Sequence, residues 1–300
     1  MKISDAIKDF LAEQVFRGNT QKTIRYYTLS LGRFTTYLAA AHADAPDPEL
    51  DALTIPMLRG FHSWLVSQEL STTSIQSYVR ALRSFLTFCH NQDFMTVNLS
   101  EKFKLPKAKR HELDILSDNE VKQLFSVFNV KYLGHLRDYC ICALMLDSGL
   151  RMNEVTTLRL DKLKLTEGFA IVCGKGNKER VVPLGLTSRR MLARYVARRP
   201  AIARTERVFL MANLSPITDN TIQQIFKRLK TRAGIPRIRA HLLRHTFATR
   251  YLENGGEMYS LQQILGHTSL EMVKRYVHTT HKKFVPTFGT FSPMDNILRA

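Results

Sequence analysis

The chain is poor in cysteine, has a single tryptophan and contains no long apolar run. Its four cysteines, Cys89, Cys140, Cys142 and Cys173, form no CxxC pair and lie among apolar neighbours. That pattern suits buried thiols and argues against a disulfide framework or a zinc ribbon. The longest apolar stretches, around Tyr139 to Leu146 and Phe169 to Cys173, fall far short of the roughly 20 residues that a membrane-spanning helix needs. Met1 to Ala12 alternates charge with apolar residues and has neither a continuous hydrophobic stretch nor a small-residue cleavage site, so a cytoplasmic location is expected. There is no GxxxxGK[ST] phosphate loop, and no nucleotide cofactor is expected. Internal repeats and low-complexity tracts are also missing, which argues against a solenoid.

Acidic residues are scarce beside basic ones. The 300 residues hold 44 Lys plus Arg against 26 Asp plus Glu, a formal charge of +18, which points to a polyanionic partner. With no segment able to enter a bilayer, nucleic acid fits better than a membrane. The imbalance is uneven: residues 1 to 110 carry 14 basic and 10 acidic side chains, residues 111 to 300 carry 30 and 16. The second part therefore supplies most of the field.

The first hundred residues read as an all-helical domain. Ile3, Ile7, Phe10 and Leu11 recur at helical spacing, and a second stripe, Ile24, Tyr27, Leu31, Phe34 and Leu38, runs up to the Ala/Asp/Pro-rich break at His42 to Pro48. Further helices are predicted over 55–68 and 72–91, the latter behind a capping Ser/Thr cluster. Residues 101 to 112 lack an apolar period and gather Lys102, Lys104, Lys107, Lys109 and Arg110 around a proline, which suits an extended linker. Its charges are either simply solvated or laid along a phosphate backbone. A second domain, 113 to 278, opens with the capping box Ser117-x-x-Glu120 and a helix over 133–147. It then changes texture: 162–165, 169–173 and 179–184 are short, β-branched or alternating, and predict a small antiparallel sheet. Helices return near 187–198, 219–233, 240–254, 258–265 and 269–277. The fold class expected is mainly α with one small antiparallel sheet.

Four stretches carry polar residues with little structural reason to be there. In SGLRMNEV, Arg151 follows a glycine-containing break at a helix start, where its planar fork could grip two oxygens of one phosphate or pair with Glu154 at the surface. In CGKGNKER, Gly174 and Gly176 permit a tight turn with Lys175 at its tip, either a reaching ammonium or an ordinary basic hairpin. HLLRHTFAT sets His241 and Arg244 on one helical face, with Leu242, Leu243 and Phe247 turned to the core. His241 and His245 have HxxxH spacing, but Leu242 stands where a metalloprotease helix has Glu and no third ligand is near, so no metal is expected and His245 reads as a packing or hydrogen-bonding residue. In LGHTSLEMVKRYVH, His267 follows a glycine at a helix end and Thr268-x-x-Glu271 caps the helix bearing Tyr276.

Taken singly, each has a bland explanation. Jointly, two guanidiniums, two imidazoles, an ammonium and a phenol are the groups that metal-free attack on a phosphodiester requires. Arg151 and Arg244 offset the charge that grows on the non-bridging oxygens, donors of this kind each contributing roughly 10²–10³ in rate. The phenol of Tyr276 must lose its proton to attack, with His241 placed to help. Lys175 protonates the leaving 5′-hydroxyl, and His267 donates a hydrogen bond to the phosphate.

With that ordered set, Arg151, Lys175, His241-x-x-Arg244, His267 and Tyr276, and the phrases GLRxxE, GKGNKERxVPL, HxLRHTFAT and LGHxSxxxxxxYxH, the sequence resembles the tyrosine recombinases, the phage-integrase-like enzymes, over essentially its whole length. The resemblance implies a SAM-like core-binding domain and an α+β catalytic domain closing round duplex DNA as a C-shaped clamp. It implies a 3′-phosphotyrosyl bond at Tyr276, with no cofactor because that bond retains the energy of the one it replaces. It also implies a homotetramer on paired inverted core sites, a dimer per site, exchanging strands through a Holliday junction, with an accessory DNA-bending protein or a second recombinase as further partners. The segment after the tyrosine docks on a neighbour in this family; here 279 to 300, with Phe284, Val285, Phe288 and Phe291, is expected to dock in cis or in trans. SGLR departs from the commoner TGLR wording at Ser148, a subgroup difference. An added N-terminal arm-binding domain is not expected, and the size resembles both Xer-type recombinases and mobile-element integrases. Integration, excision or transposition of a mobile element is the leading expectation, with Xer-type resolution of DNA multimers as its alternative. A type IB topoisomerase-like enzyme and a DNA-binding regulator that has lost its chemistry are the competing classes.

Overall fold

The computed structural model describes residues 1–104, 114–174, 178–267 and 269–277. The chain separates into two compact units, Met1–Arg110 and His111–Ala300. Among the described residues no helix is long and apolar enough to cross a membrane.

The first unit is built from α1 (Ile3–Phe16), α2 (Gln21–Ala41), α3 (Ile55–Ser67) and α4 (Thr72–Asn91), with a single turn of 3-10 helix at Leu50–Ala52. The Thr20 and Ser71 side chains cap α2 and α4 by accepting from Thr23 and Ser74 N–H. The apolar stripes meet at aromatic contacts: Phe10 sits edge-on to Tyr27, Phe85 and Phe88 at centroid distances of 5.0, 5.8 and 5.3 Å. The segment read as linker from residue 101 starts inside one more turn of helix, α5 (Leu99–Lys102). Leu99 and Phe103, four residues apart between charged neighbours, are both buried in this unit's core, and Arg83 Nε donates to Ser100 O at 2.9 Å.

The second unit opens on α6 (Asp118–Ser126) behind the Ser117/Glu120 capping box, followed by α7 (Leu133–Asp147) and the short α8 (Met152–Thr157). A three-stranded antiparallel sheet follows in the order β1 (Leu163–Lys164), β2 (Phe169–Cys173), β3 (Glu179–Pro183). Ala170 pairs with Val182 and Val172 with Arg180. Because side chains alternate along a strand, Arg180 shares the inward face with the fully buried Val182. Helices α9 (Leu186–Arg198), α10 (Asp219–Arg232), α11 (Ala240–Glu253), α12 (Met258–Leu265) and α13 (Glu271–Val277) complete the described unit. The α7 and α11 helices are its centre. Cys140, Ile141, Cys142, Leu144 and Met145 of the first, and Leu242, Leu243 and Ala248 of the second, are almost wholly buried. Burial also pushes the Cys140 thiol up to about 12, which keeps it protonated and unreactive at neutral pH.

Candidate active site

Arg151 owes its position to the break after α7. Gly149 has φ +64, and its neighbour Ser148 is fully buried with Oγ donating to Pro183 O at 2.8 Å. Asp147 accepts Gly185 N–H at 2.9 Å, so the residues leading into the turn are tied to the end of β3 and the segment after it. A Cβ at residue 149 would sit 2.5 Å from Phe247 Cδ1 and 2.8 Å from Leu265 Cδ2. Gly149→Ala is therefore expected to cost about 2–4 kcal/mol, combining left-handed strain with overpacking. Urea unfolding measures it, and a loss below about 1 kcal/mol would show that the turn relaxes freely.

Arg151 caps α8, its backbone N–H donating to Glu154 Oε2 at 2.8 Å and its Nη1 to Oε1 at 3.0 Å. The pair is not a surface one, since Glu154 is 2 % exposed. The same carboxylate takes a fork from Arg180, with Nη1 and Nη2 at 2.7 and 2.9 Å. Burial opposes the charge on Glu154, but the Arg180 hydrogen bonds, the Arg151 N–H and the two guanidinium charges outweigh it and hold the carboxyl below its usual range.

On helix α11, His241, Arg244 and His245 have different surroundings. His241 is exposed, whereas Arg244 is 4 % exposed. The guanidinium of Arg244 donates to Gly149 O and, from Nη2, to Leu265 O at 2.8 Å, with His267 Nε2 3.1 Å from the same nitrogen. With Arg244 as donor, His267 Nε2 accepts, so donation to a phosphate from that nitrogen needs a change of partner. His267 is presented by the end of α12, where Gly266 turns left-handed at φ +60 and Gln262 Nε2 donates to His267 O at 3.1 Å. Burial, and then the charge of Arg151, pull the Arg244 guanidinium down to about 10, with Glu154 acting in the opposite sense.

Tyr276, on α13, is 2 % exposed, and its Oη lies 3.0 Å from His245 Nδ1. The imidazole beside the phenol is thus His245. His241, expected to assist Tyr276, has its ring centroid 6.4 Å from that of His245, one turn further along the helix. Lys175 and Thr268 lie outside the described residues, as does the segment from 278 to 300. Gly174 N–H donates to Lys178 O at 2.9 Å. Among the described residues no three His, Cys, Asp or Glu groups could hold a metal ion together.

Two residues of this network escaped the reading of the motifs. Arg180 passed as part of an alternating strand, and Glu154 as a surface partner. A signal for the first was available: an arginine on the inward face of a strand needs a carboxylate to offset its burial.

A model of the phage integrase family matches residues 114–283, and a model of the phage integrase SAM-like domain matches residues 2–105. A tyrosine recombinase XerD of Listeria monocytogenes serotype 4b (strain F2365) is 31% identical over 299 residues, covering 97% of this chain and 99% of its own. A tyrosine recombinase XerC of Staphylococcus carnosus (strain TM300) is 30% identical over 273 residues, 90% of each chain. Among solved structures, XerH site-specific recombinase bound to a palindromic difH substrate, a post-cleavage complex, superposes with TM-score 0.73 at 21% identity, covering 90% of this chain and 81% of that one. The Tn1549 transposon integrase in complex with transposon right end DNA gives TM-score 0.73 at 19% identity, with coverage of 92% and 94%.

Proposed function

The chain belongs to the phage integrase family of tyrosine recombinases and is a site-specific DNA recombinase; from that premise we propose that it cuts duplex DNA by attack of Tyr276 on a phosphodiester, forming a 3′-phosphotyrosyl bond. Arg151 and Arg244 bind the non-bridging oxygens and stabilise the charge that develops there. Lys175 protonates the departing 5′-oxygen. His241 and His267 assist at the phenol and at the phosphate. His245 joins them as the group that orients the phenol. The released 5′-hydroxyl of a second duplex then attacks the phosphotyrosine, and a homotetramer on paired inverted core sites passes through a Holliday junction.

The observation that carries this reading is the density of partners on one helix. Arg244 reaches His267 at 3.1 Å, and the adjacent His245 reaches the Tyr276 hydroxyl at 3.0 Å. For DNA recognition, α10 offers an exposed polar face of Gln223, Gln224, Lys227, Arg228 and Lys230, and the exposed start of α4 offers another.

Resolution of DNA multimers is the biological role we favour over movement of a mobile element. The supporting observation is that relatives named XerD and XerC match along almost the whole chain at 30–31% identity. The fold does not discriminate, since a transposon integrase superposes equally well.

The test uses duplexes enriched for binding from a random-sequence pool. Each is nicked beside the cleavage position so that the cut strand diffuses away and the covalent complex accumulates. An SDS-resistant adduct on the 3′ side is expected, and joint products should form when two such sites are mixed. Adducts with supercoil relaxation but no joint products would favour a topoisomerase, and the absence of any adduct would defeat the reading.

A further inference from the structure

We propose that Arg180 is a positioning residue for strand cleavage, acting through Glu154 to aim Arg151 at the scissile phosphate. The proposal rests on the reading of this cluster as a recombinase centre and adds a residue that the phosphate itself does not touch.

The geometry is a shared box. Glu154 Oε1 accepts from Arg151 Nη1 and Arg180 Nη1, while Oε2 accepts from the Arg151 backbone N–H and Arg180 Nη2. The two arginines differ in what else they can do. The Arg180 side chain is 13 % exposed, against 33 % for Arg151. Its Nε is also spent, donating to Ile264 O at 2.7 Å. Arg180 thus turns three donors onto protein atoms, whereas Arg151 keeps an open side on which a phosphate oxygen can land.

Position along the chain explains why this matters. From β3, Arg180 reaches the cap of α8 and the last turn of α12, one residue before the carbonyl of Leu265 that accepts Arg244. A Cβ on Gly266 would lie 3.1 Å from Arg180 Cδ, so the guanidinium stem fills the space beside the turn that presents His267. One side chain therefore ties β3 to the start of α8, which carries Arg151, and to the end of α12, which presents His267. Without it, buried Glu154 would keep Arg151 as its only cationic partner and draw that fork inward, or else take up a proton and release it. Both outcomes cost Arg151 its aim.

The experiment measures the rate of adduct formation by the full chain on the nicked duplex selected above, for Arg180→Met, Arg180→Lys, Arg151→Ala and the double variants. Arg180→Met should lower the rate by roughly 10²-fold with duplex affinity retained. Arg180→Lys should lie between, because an ammonium cannot fork to both carboxylate oxygens and reach a carbonyl as well. The decisive readout is coupling: in the Arg151→Ala background, changing Arg180 should cost almost nothing further. A purely structural role would instead reduce affinity and thermal stability and would multiply with the loss of Arg151. Multiplied losses, or an Arg180→Met enzyme at the wild-type rate, overturn the proposal. If the Met variant does not fold, the Lys variant carries the same comparison. A wild-type chain that forms no adduct defeats the recombinase reading of the site; an adduct with uncoupled losses defeats only the role of Arg180.

Discussion

Tyr276→Phe is expected to remove the covalent protein–DNA adduct, with a loss of roughly 10⁴-fold or more, the scale of deleting a covalent nucleophile, while duplex affinity stays at the wild-type level. The substitution deletes one oxygen and keeps the ring. That ring is 2 % exposed in the core shared with the fully buried Val273, and lies 5.8 Å from the His245 ring, so packing survives. The bond between Oη and His245 Nδ1 is given up, at about 1 kcal/mol and a small drop in melting temperature. SDS gels of wild type and variant on the nicked duplex read the adduct, and a mobility-shift titration reads affinity. An adduct formed by the Phe variant would move the nucleophile to another residue. The burial has a kinetic consequence as well. A phosphate cannot reach a hydroxyl so well covered until α13 shifts, so adduct formation in the wild type should lag behind DNA binding.

Much of this was legible in the residues because the signals are local. The stripes on α2 and α4, the Ser117/Glu120 capping box and the alternation in β2 each depend on neighbours a few positions apart, and each appears within a residue or two of its expected bounds. The candidate site could be put forward for the same reason: its residues come in short phrases whose glycines and caps can be read individually. Partners brought together by folding could not be seen. Arg180 and Glu154 are 26 residues apart, and nothing in either phrase names the other. The spacing of His241 and Arg244 set those two on one face and left His245 to packing; which imidazole lies beside Tyr276 turns on which face of α11 meets α13, a contact between distant segments. The turn at Leu99 to Phe103 was hidden by its charges, since two apolar residues among Glu101, Lys102 and Lys104 make no recognisable period.

Arg244→Met should separate activity from stability. A guanidinium held at about 10, well below its ordinary value, costs the folded chain on the order of 3 kcal/mol at neutral pH. The sign follows from burial favouring the uncharged form: the cost is fully present below about 10, where folded and unfolded chains are both protonated. It fades as pH rises through 10 towards the ordinary guanidinium value, a range in which only the unfolded chain still holds the proton. Methionine fills similar space without the charge and so recovers that cost. Against this, the carbonyls of Gly149 and Leu265 lose a buried donor, at about 1–3 kcal/mol each. The opposing effects are of similar size, and the unfolding free energy should change by between a gain of about 1 kcal/mol and a loss of about 3 kcal/mol. Activity has no such compensation. Once Arg244 is gone, the phosphate loses a preorganised donor and His267 its partner at 3.1 Å, so the adduct rate should fall by roughly 10²–10³ or more. Denaturant unfolding and single-turnover cleavage on the same preparations make the comparison. A variant that is fully active, or one whose inactivity follows entirely from unfolding, would show that this charge is kept for the fold and not for the reaction.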